Sequence, residues 1–136
     1  MELNKNQYTI DGIPVTDLAE KHGSPLYIYE SARMISQYES ITSAFSKTRV
    51  KIYYACKALT NINVLKLFRS LGSGLDAVSV QEVTLGLKAG FAPQDILYTP
   101  NCVSIEEIHE AVELGVRINI DNIAILEEFG HKYGKI

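Results

Sequence analysis

The chain has 136 residues, with 13 Lys and Arg against 16 Asp and Glu and a formal net charge of -3. Such a mildly acidic chain offers no basic surface for nucleic acid or an anionic membrane, and no apolar run reaches the length of a membrane span. The length suits one domain with a real core, and two cysteines, Cys56 and Cys102, make no disulfide framework, which fits a reducing compartment. Met1 to Asn6 is polar and carries no apolar h-region, so no signal peptide is expected and the expected location is the cytoplasm.

Residues 1–12 read as a short strand-like lead, with Tyr8-Thr9-Ile10 as its apolar piece and Asp11-Gly12 as a turn signal. Thr16 is positioned to cap a short helix, Asp17 to His22, that Gly23 ends. Ser24-Pro25 restarts the chain in extended form, because the residue before proline disfavours helix. A repeat then begins. Leu26 to Tyr29 reads as a strand, and Ser31 caps a helix to about Phe45, with Met34, Ile35, Tyr38, Ile41 and Phe45 at helical spacing. Val50 to Cys56 is the next strand and Asn61 to Leu71 the next helix, closing at Gly72. Leu75 to Val78 is a strand, and Ser79 caps a helix to Ala89 with Glu82 at the capping-box position. Ile96 to Tyr98 is a strand, and Ser104 caps a helix with Glu107 three residues on. Val116 to Ile120 is a strand, and Asn122 opens a helix to about Tyr133. Gly90, Gly115 and Gly134 are the helix stops.

Strand and helix thus alternate five times, at a spacing of roughly 25 residues, which predicts an α/β fold with a parallel sheet and helices outside it. Two architectures fit: a five-stranded flavodoxin-like sheet, or part of a (β/α)8 barrel. A full barrel needs about 250 residues. The chain stops as a further strand would begin, at Lys135-Ile136, so a barrel fragment is the expected reading.

In both architectures an active site lies at the carboxyl ends of the parallel strands. Lys57 stands at one such end, in Tyr53-Tyr54-Ala55-Cys56-Lys57-Ala58. Strand alternation predicts that Tyr53, Ala55 and Lys57 share a face. An amine held against that apolar wall has a depressed pKa and becomes a nucleophile for a carbonyl carbon, giving a Schiff base. The other reading is a strand-end lysine whose head reaches water. Asp76 marks the next strand end, Thr99-Pro100-Asn101 the third and Asp121-Asn122 the fourth. A carboxylate at Asp76 would orient the amine or take its proton, or would bond loop amides. Asp121 reads as a helix N-cap. His109 and His131 read as solvated helix residues and Cys102 as a buried thiol. No set of His, Cys and carboxylates has metal-ligand spacing, and Gly72-Ser73-Gly74 precedes a strand, so it is no phosphate loop.

Three stretches carry a resemblance. Tyr54-Ala55-Cys56-Lys57-Ala58 resembles the YAxKA motif of fold-type III pyridoxal-phosphate enzymes, the alanine racemase-like barrels and basic amino-acid decarboxylases. His22-Gly23-Ser24-Pro25-Leu26-Tyr27-Ile28-Tyr29-Glu30 resembles the GTPLYVYD entry of diaminopimelate decarboxylases. Gly74-Leu75-Asp76-Ala77-Val78-Ser79, followed by Glu82, resembles their GxDxVSxxE segment. The resemblance spans nearly the whole chain and keeps the order of the three pieces. Departures are Leu59, where the family often has asparagine, and Val80-Gln81, where it commonly has two glycines.

The resemblance implies the N-terminal part of such a decarboxylase, with pyridoxal 5'-phosphate as cofactor and a small amino acid, meso-2,6-diaminopimelate, as substrate. Lys57 would bond the cofactor and Asp76 would lie beside it, serving both binding and catalysis. Residues 1–25 would join a separate β-domain and residues 26–136 would form the first part of the pyridoxal-phosphate-binding barrel. The resemblance further implies a homodimer, and a chain that is inactive by itself. The alternatives are a decarboxylase for another basic amino acid or polyamine, a non-catalytic pyridoxal-phosphate-binding barrel, and a flavodoxin-like module in which Lys57 meets no cofactor.

Overall fold

The computed structural model describes residues 1–4 and 6–134, so the strand start expected at Lys135-Ile136 lies outside the described residues. The chain forms two compact units, Met1–Ile41 and Thr42–Ile136. In the first, β1 (Glu2–Asn4), β2 (Gln7–Ile10) and β3 (Ile13–Pro14) make an antiparallel sheet in that order. Ile10 pairs with Ile13 across Asp11-Gly12. Both turn residues have positive φ, 51° and 77°, the two-residue hairpin geometry that Asp-Gly favours. Helix α1 (Val15–His22) follows. Thr16 is inside it and not its cap, contrary to expectation. Pro14 holds the cap position without a side-chain bond, and the Thr16 hydroxyl instead accepts from Gln7 Nε2 at 3.0 Å.

Leu26 to Tyr29 is the clearest departure from the sequence reading. The segment pairs with no strand among the described residues, and Tyr27 keeps 86% of its surface exposed. Apolar, β-prone residues make a strand only where a neighbour offers a ladder. Helix α2 (Ser31–Ala44) then runs close to the predicted span.

The second unit holds β4 (Tyr53–Ala55), α3 (Ile62–Ser70), β5 (Gly74–Ala77), α4 (Val80–Lys88), β6 (Ile96–Tyr98), α5 (Ile105–Glu113), β7 (Arg117–Ile118) and α6 (Ile123–Tyr133). The caps explain the starts. Asn61 Oδ1 accepts from Asn63 N at 2.9 Å, and Asn122 Oδ1 from Ala124 N at 2.9 Å. Asn122, not Asp121, is therefore the N-cap of α6. Helix ends at Gly90 and Gly115 turn through φ of 93° and 69°, a region that residues with a Cβ seldom enter.

The four strands are parallel and lie in sequence order, β4-β5-β6-β7. A flavodoxin-like sheet reverses its order at a switch point. Consecutive order with helical crossovers of one hand keeps all the helices on one face, as in a (β/α)8 barrel. The burial follows that division. Cys56, Leu75, Ala77, Ile96, Tyr98 and Val116 are buried under the helices, among Leu65, Val83 and Ile108. The alternate residues Tyr53, Ala55, Asp76 and Leu97 are only half-buried, and Arg117 is exposed. The chain therefore contributes a segment of a barrel wall, with a sealed apolar face and a second, more polar one. No helix among the described residues is long and apolar enough to cross a membrane.

Candidate active site

The carboxyl ends of the strands bring four side chains to one edge of the sheet. They are Lys57 after β4, Asp76 within β5, Thr99 directly after β6 and Asn119 directly after β7. The backbone ladder continues past the regular strands. Thr99 N donates to Ala77 O and Asn119 N to Tyr98 O, each at 2.8 Å.

The regular strand does not reach Lys57, so the alternation that would put it with Tyr53 and Ala55 does not apply to it. The strand stops at Ala55, and Cys56–Ala58 form one tight helical turn that Leu59 N closes onto Cys56 O at 3.1 Å. Cys56 keeps the helix-covered side and is fully buried. Lys57 is the middle residue of that turn and is exposed. Among the described residues it has no hydrogen-bond or ion-pair partner. The Cys56 thiol itself is pushed up to about 11, first by burial and then by the Glu82 and Asp76 carboxylates. Buried and protonated, it anchors the turn and is no nucleophile at neutral pH.

Asp76 pairs in register with Ala55, two residues before Lys57. Its Oδ1 accepts a short hydrogen bond from the Thr99 hydroxyl on the opposite neighbouring strand. The following loop is rigid for local reasons. Ser79 Oγ accepts from Glu82 N at 3.2 Å, and the Glu82 carboxylate accepts from Val78 N at 2.8 Å. The Ser79–Glu82 pair thus caps α4 and ties down the β5–α4 loop, reaching one residue further back than the usual capping box. Sequence reasoning placed Thr99 only at a strand end. Its partner is 23 residues away, and no local pattern announces such a bond.

Three other expectations are corrected. Cys102 is exposed, with φ of 55°, and its thiol donates to Asn101 Oδ1 at 3.2 Å. The tight turn after Pro100 faces it outward, so no core forms over it. His109 is not a solvated surface residue. Its Nδ1 lies 2.7 Å from Lys132 Nζ, its ring meets Tyr133 edge-on at 5.5 Å, and Nε2 is buried. The packing of α5 on α6 covers a position that charge pattern alone assigned to solvent. Asp121, expected as a cap, is exposed and leaves that role to Asn122.

Pyridoxal phosphate requires a primary amine free to bond its aldehyde carbon. Lys57, exposed and unpartnered at a strand end with a carboxylate on the adjacent strand, fits that requirement. The other lysine flanking β4, Lys51, does not, because it is paired with Asp95.

Residues 31–135 match the pyridoxal-binding domain of pyridoxal-dependent decarboxylases. Diaminopimelate decarboxylase of Methanothermobacter thermautotrophicus is 42% identical over 125 residues, covering 90% of this chain and 29% of the relative. That of Haemophilus influenzae is 33% identical over 136 residues, covering 99% and 33%. The crystal structure of diaminopimelate decarboxylase from M. jannaschii in co-complex with L-lysine is similar with a TM-score of 0.85 at 29% identity, covering 98% of this chain and 33% of that one. The chain spans about a third of the length of the curated relatives it matches. Its consecutive parallel strands, its exposed strand-end lysine and this match over 31–135 agree, and the chain belongs to the pyridoxal-dependent decarboxylase family, as part of the pyridoxal-binding domain.

Proposed function

We propose that the chain serves a decarboxylase that converts meso-2,6-diaminopimelate to L-lysine and CO2, and that it supplies the lysine that holds pyridoxal 5'-phosphate. The observation that carries the reading is the exposed Lys57 amine, without a partner among the described residues, one strand away from the Asp76 carboxylate. Bound there, pyridoxal phosphate would supply an electron sink for the pair left on carbon when CO2 departs. Lys57 Nζ would hold the cofactor covalently and give it up to the substrate amine. Asp76, an acceptor-only group when ionised, would receive or return the proton at Nζ. Overall one carbon–carbon bond breaks, CO2 leaves, and one proton is added at the same carbon.

The entry segment His22 to Glu30 and the relatives' names support diaminopimelate over other basic amino acids as substrate. The antiparallel β1–β3 sheet supports a role for residues 1–25 in a separate β-domain. Homodimer formation and a cytoplasmic location belong to the same reading and rest on the family resemblance. The decisive test of the lysine is covalent trapping. The chain is incubated with pyridoxal 5'-phosphate, reduced with borohydride and mapped by peptide mass spectrometry. The expected adduct is on Lys57 and is absent from Lys57→Ala. Equal labelling of the two chains rejects the assignment.

A further inference from the structure

We propose that Thr99 is a positioning residue for Asp76, and that its hydroxyl fixes the direction in which the carboxylate faces Lys57. This rests on the reading above, in which Asp76 acts with Lys57. Strand order supplies the geometry, since β5 lies between β4 and β6. Asp76 pairs in register with Ala55 on one side and Leu97 on the other, and Thr99, two residues past Leu97, reaches it with its hydroxyl. The hydroxyl of Thr99 has one proton, and it is given to Asp76 Oδ1. A hydrogen bond to an ionised carboxylate is of the strong, charge-assisted kind. Among the described residues, Asp76 Oδ2 has no protein donor.

The donor is itself well held. Thr99 N bonds Ala77 O at 2.8 Å, which ties its backbone to the strand that carries Asp76. Pro100 follows and is buried, and a proline restricts the residue before it to extended conformations. A β-branched side chain also has few χ1 choices on such a backbone. The hydroxyl is thus preset, and an aspartate with two free torsions is reduced to one orientation. A fixed carboxylate leaves one oxygen spent on β6 and the other available to a group arriving from the β4 side.

The test uses the full chain as wild type, Thr99→Val, Thr99→Ala, Thr99→Ser, Asp76→Ala and the Thr99→Val/Asp76→Ala double variant. The first readout is the Hα–Hβ coupling of Asp76 by NMR, which needs no cofactor. Wild type and Thr99→Ser are expected to show one dominant χ1 rotamer, and Thr99→Val and Thr99→Ala averaged couplings. Thr99→Ala cannot overpack, so it carries the comparison if the valine variant fails to fold. Unchanged couplings in both variants overturn the proposal. The second readout is the fraction of Lys57 trapped by pyridoxal phosphate and borohydride at neutral pH. Thr99→Val is expected to change the rate of trapping by about tenfold, the scale of one charge-assisted hydrogen bond, and to change nothing further in the Asp76→Ala background. An equal effect in both backgrounds makes Thr99 merely structural and overturns the proposal. If wild type gives no Lys57 adduct, the reading of Lys57 fails by itself, and the couplings alone decide for or against Thr99.

Discussion

Gly86→Ala measures how closely α4 lies on the sheet. A Cβ at this position would stand 2.4 Å from Leu75 Cδ2 and 3.2 Å from Ile96 Cδ1. Two effects oppose each other. Inside a helix, alanine is favoured over glycine by roughly 0.8–1.0 kcal/mol. Against that, Leu75 and Ile96 are both fully buried, so Leu75 cannot swing aside into water. Carbon atoms in contact prefer about 3.5–4.0 Å, and the 2.4 Å approach is far inside that. Forcing an extra methyl into a filled core costs about 1–3 kcal/mol, and so deep an overlap belongs to the upper half of that range. The clash wins, and Gly86→Ala should destabilise the chain by about 1–2 kcal/mol. Urea unfolding followed by far-ultraviolet circular dichroism reads it, since the chain has no tryptophan to report by fluorescence. Leu75→Val removes the atom that is struck. In that background Gly86→Ala should become stabilising by up to about 1 kcal/mol, with Ile96 Cδ1 yielding a few tenths of an ångström. The coupling between the two sites is then roughly 2 kcal/mol, well above the scatter of independent mutations. The same change in both backgrounds, or a stabilised single variant, refutes the reasoning.

Tyr98 is fully buried and its hydroxyl has no hydrogen-bond partner among the described residues. Tyr98→Phe should therefore raise stability by about 1 kcal/mol, and a loss in urea unfolding would mean that the hydroxyl has a partner in solution. Ser79→Ala removes the acceptor of Glu82 N and should cost about 1 kcal/mol, with Ser79→Thr retaining most of it; indistinguishable midpoints would deny the cap. The Cys56 thiol, raised from 9.0 to about 11 by burial and then by Glu82 and Asp76, stays protonated when folded at pH values where the unfolded chain ionises. Its contribution to stability is complete below pH 9.0 and falls as pH rises toward 11, by at most about 1.4 kcal/mol per pH unit. Cys56→Ala should lose that share of the slope, and a slope unchanged by the substitution would show that the thiol is not the source.

Local chemistry was legible and long-range pairing was not. Asn61, Ser79, Ser104 and Asn122 each mark a helix start by a residue type whose side chain accepts a nearby backbone N–H, and Asp11-Gly12 marks a hairpin by the positive φ it tolerates. Such signals act within a few residues, so they survive in the folded chain. Leu26 to Tyr29 has strand composition, yet composition does not provide a partner. The order of the strands depends on which crossovers pack together, and alternation of strand and helix left the open sheet as an alternative to the expected barrel fragment until the order β4-β5-β6-β7 set it aside. Lys57 and Asp76 were expected at strand ends by position, and they lie there. Alternation could not assign a face to Lys57, because a period of two holds only while the strand lasts, and here it ends at Ala55. Thr99 was missed as a partner because its bond crosses from one strand to the next.

The two lysines that flank β4 separate what is structural from what is free to react. Lys51, before the strand, is paired with Asp95 and lies 5.8 Å from the Tyr53 ring. The Arg117 guanidinium bonds the Tyr53 hydroxyl, and the Tyr53 ring covers Gly74 so closely that an added Cβ would meet it at 2.4 Å. Lys51, Tyr53, Gly74, Asp95 and Arg117 thus form one group toward the amino ends of the strands, with Lys51 paired to Asp95 and Arg117 bonded to the Tyr53 hydroxyl. An exposed ion pair of this kind is worth only about 0–1 kcal/mol, so it lowers the share of free Lys51 amine only modestly. At the carboxyl ends the pattern reverses: Asp76 accepts from a neutral hydroxyl, and among the described residues neither Asp76 nor Lys57 has an ion-pair partner. A neighbouring carboxylate favours the protonated form of an amine, so the pair at Lys51 works against reaction with a carbonyl carbon. Lys51 therefore serves as the control within the chain for any carbonyl reagent that distinguishes the two ends of the sheet.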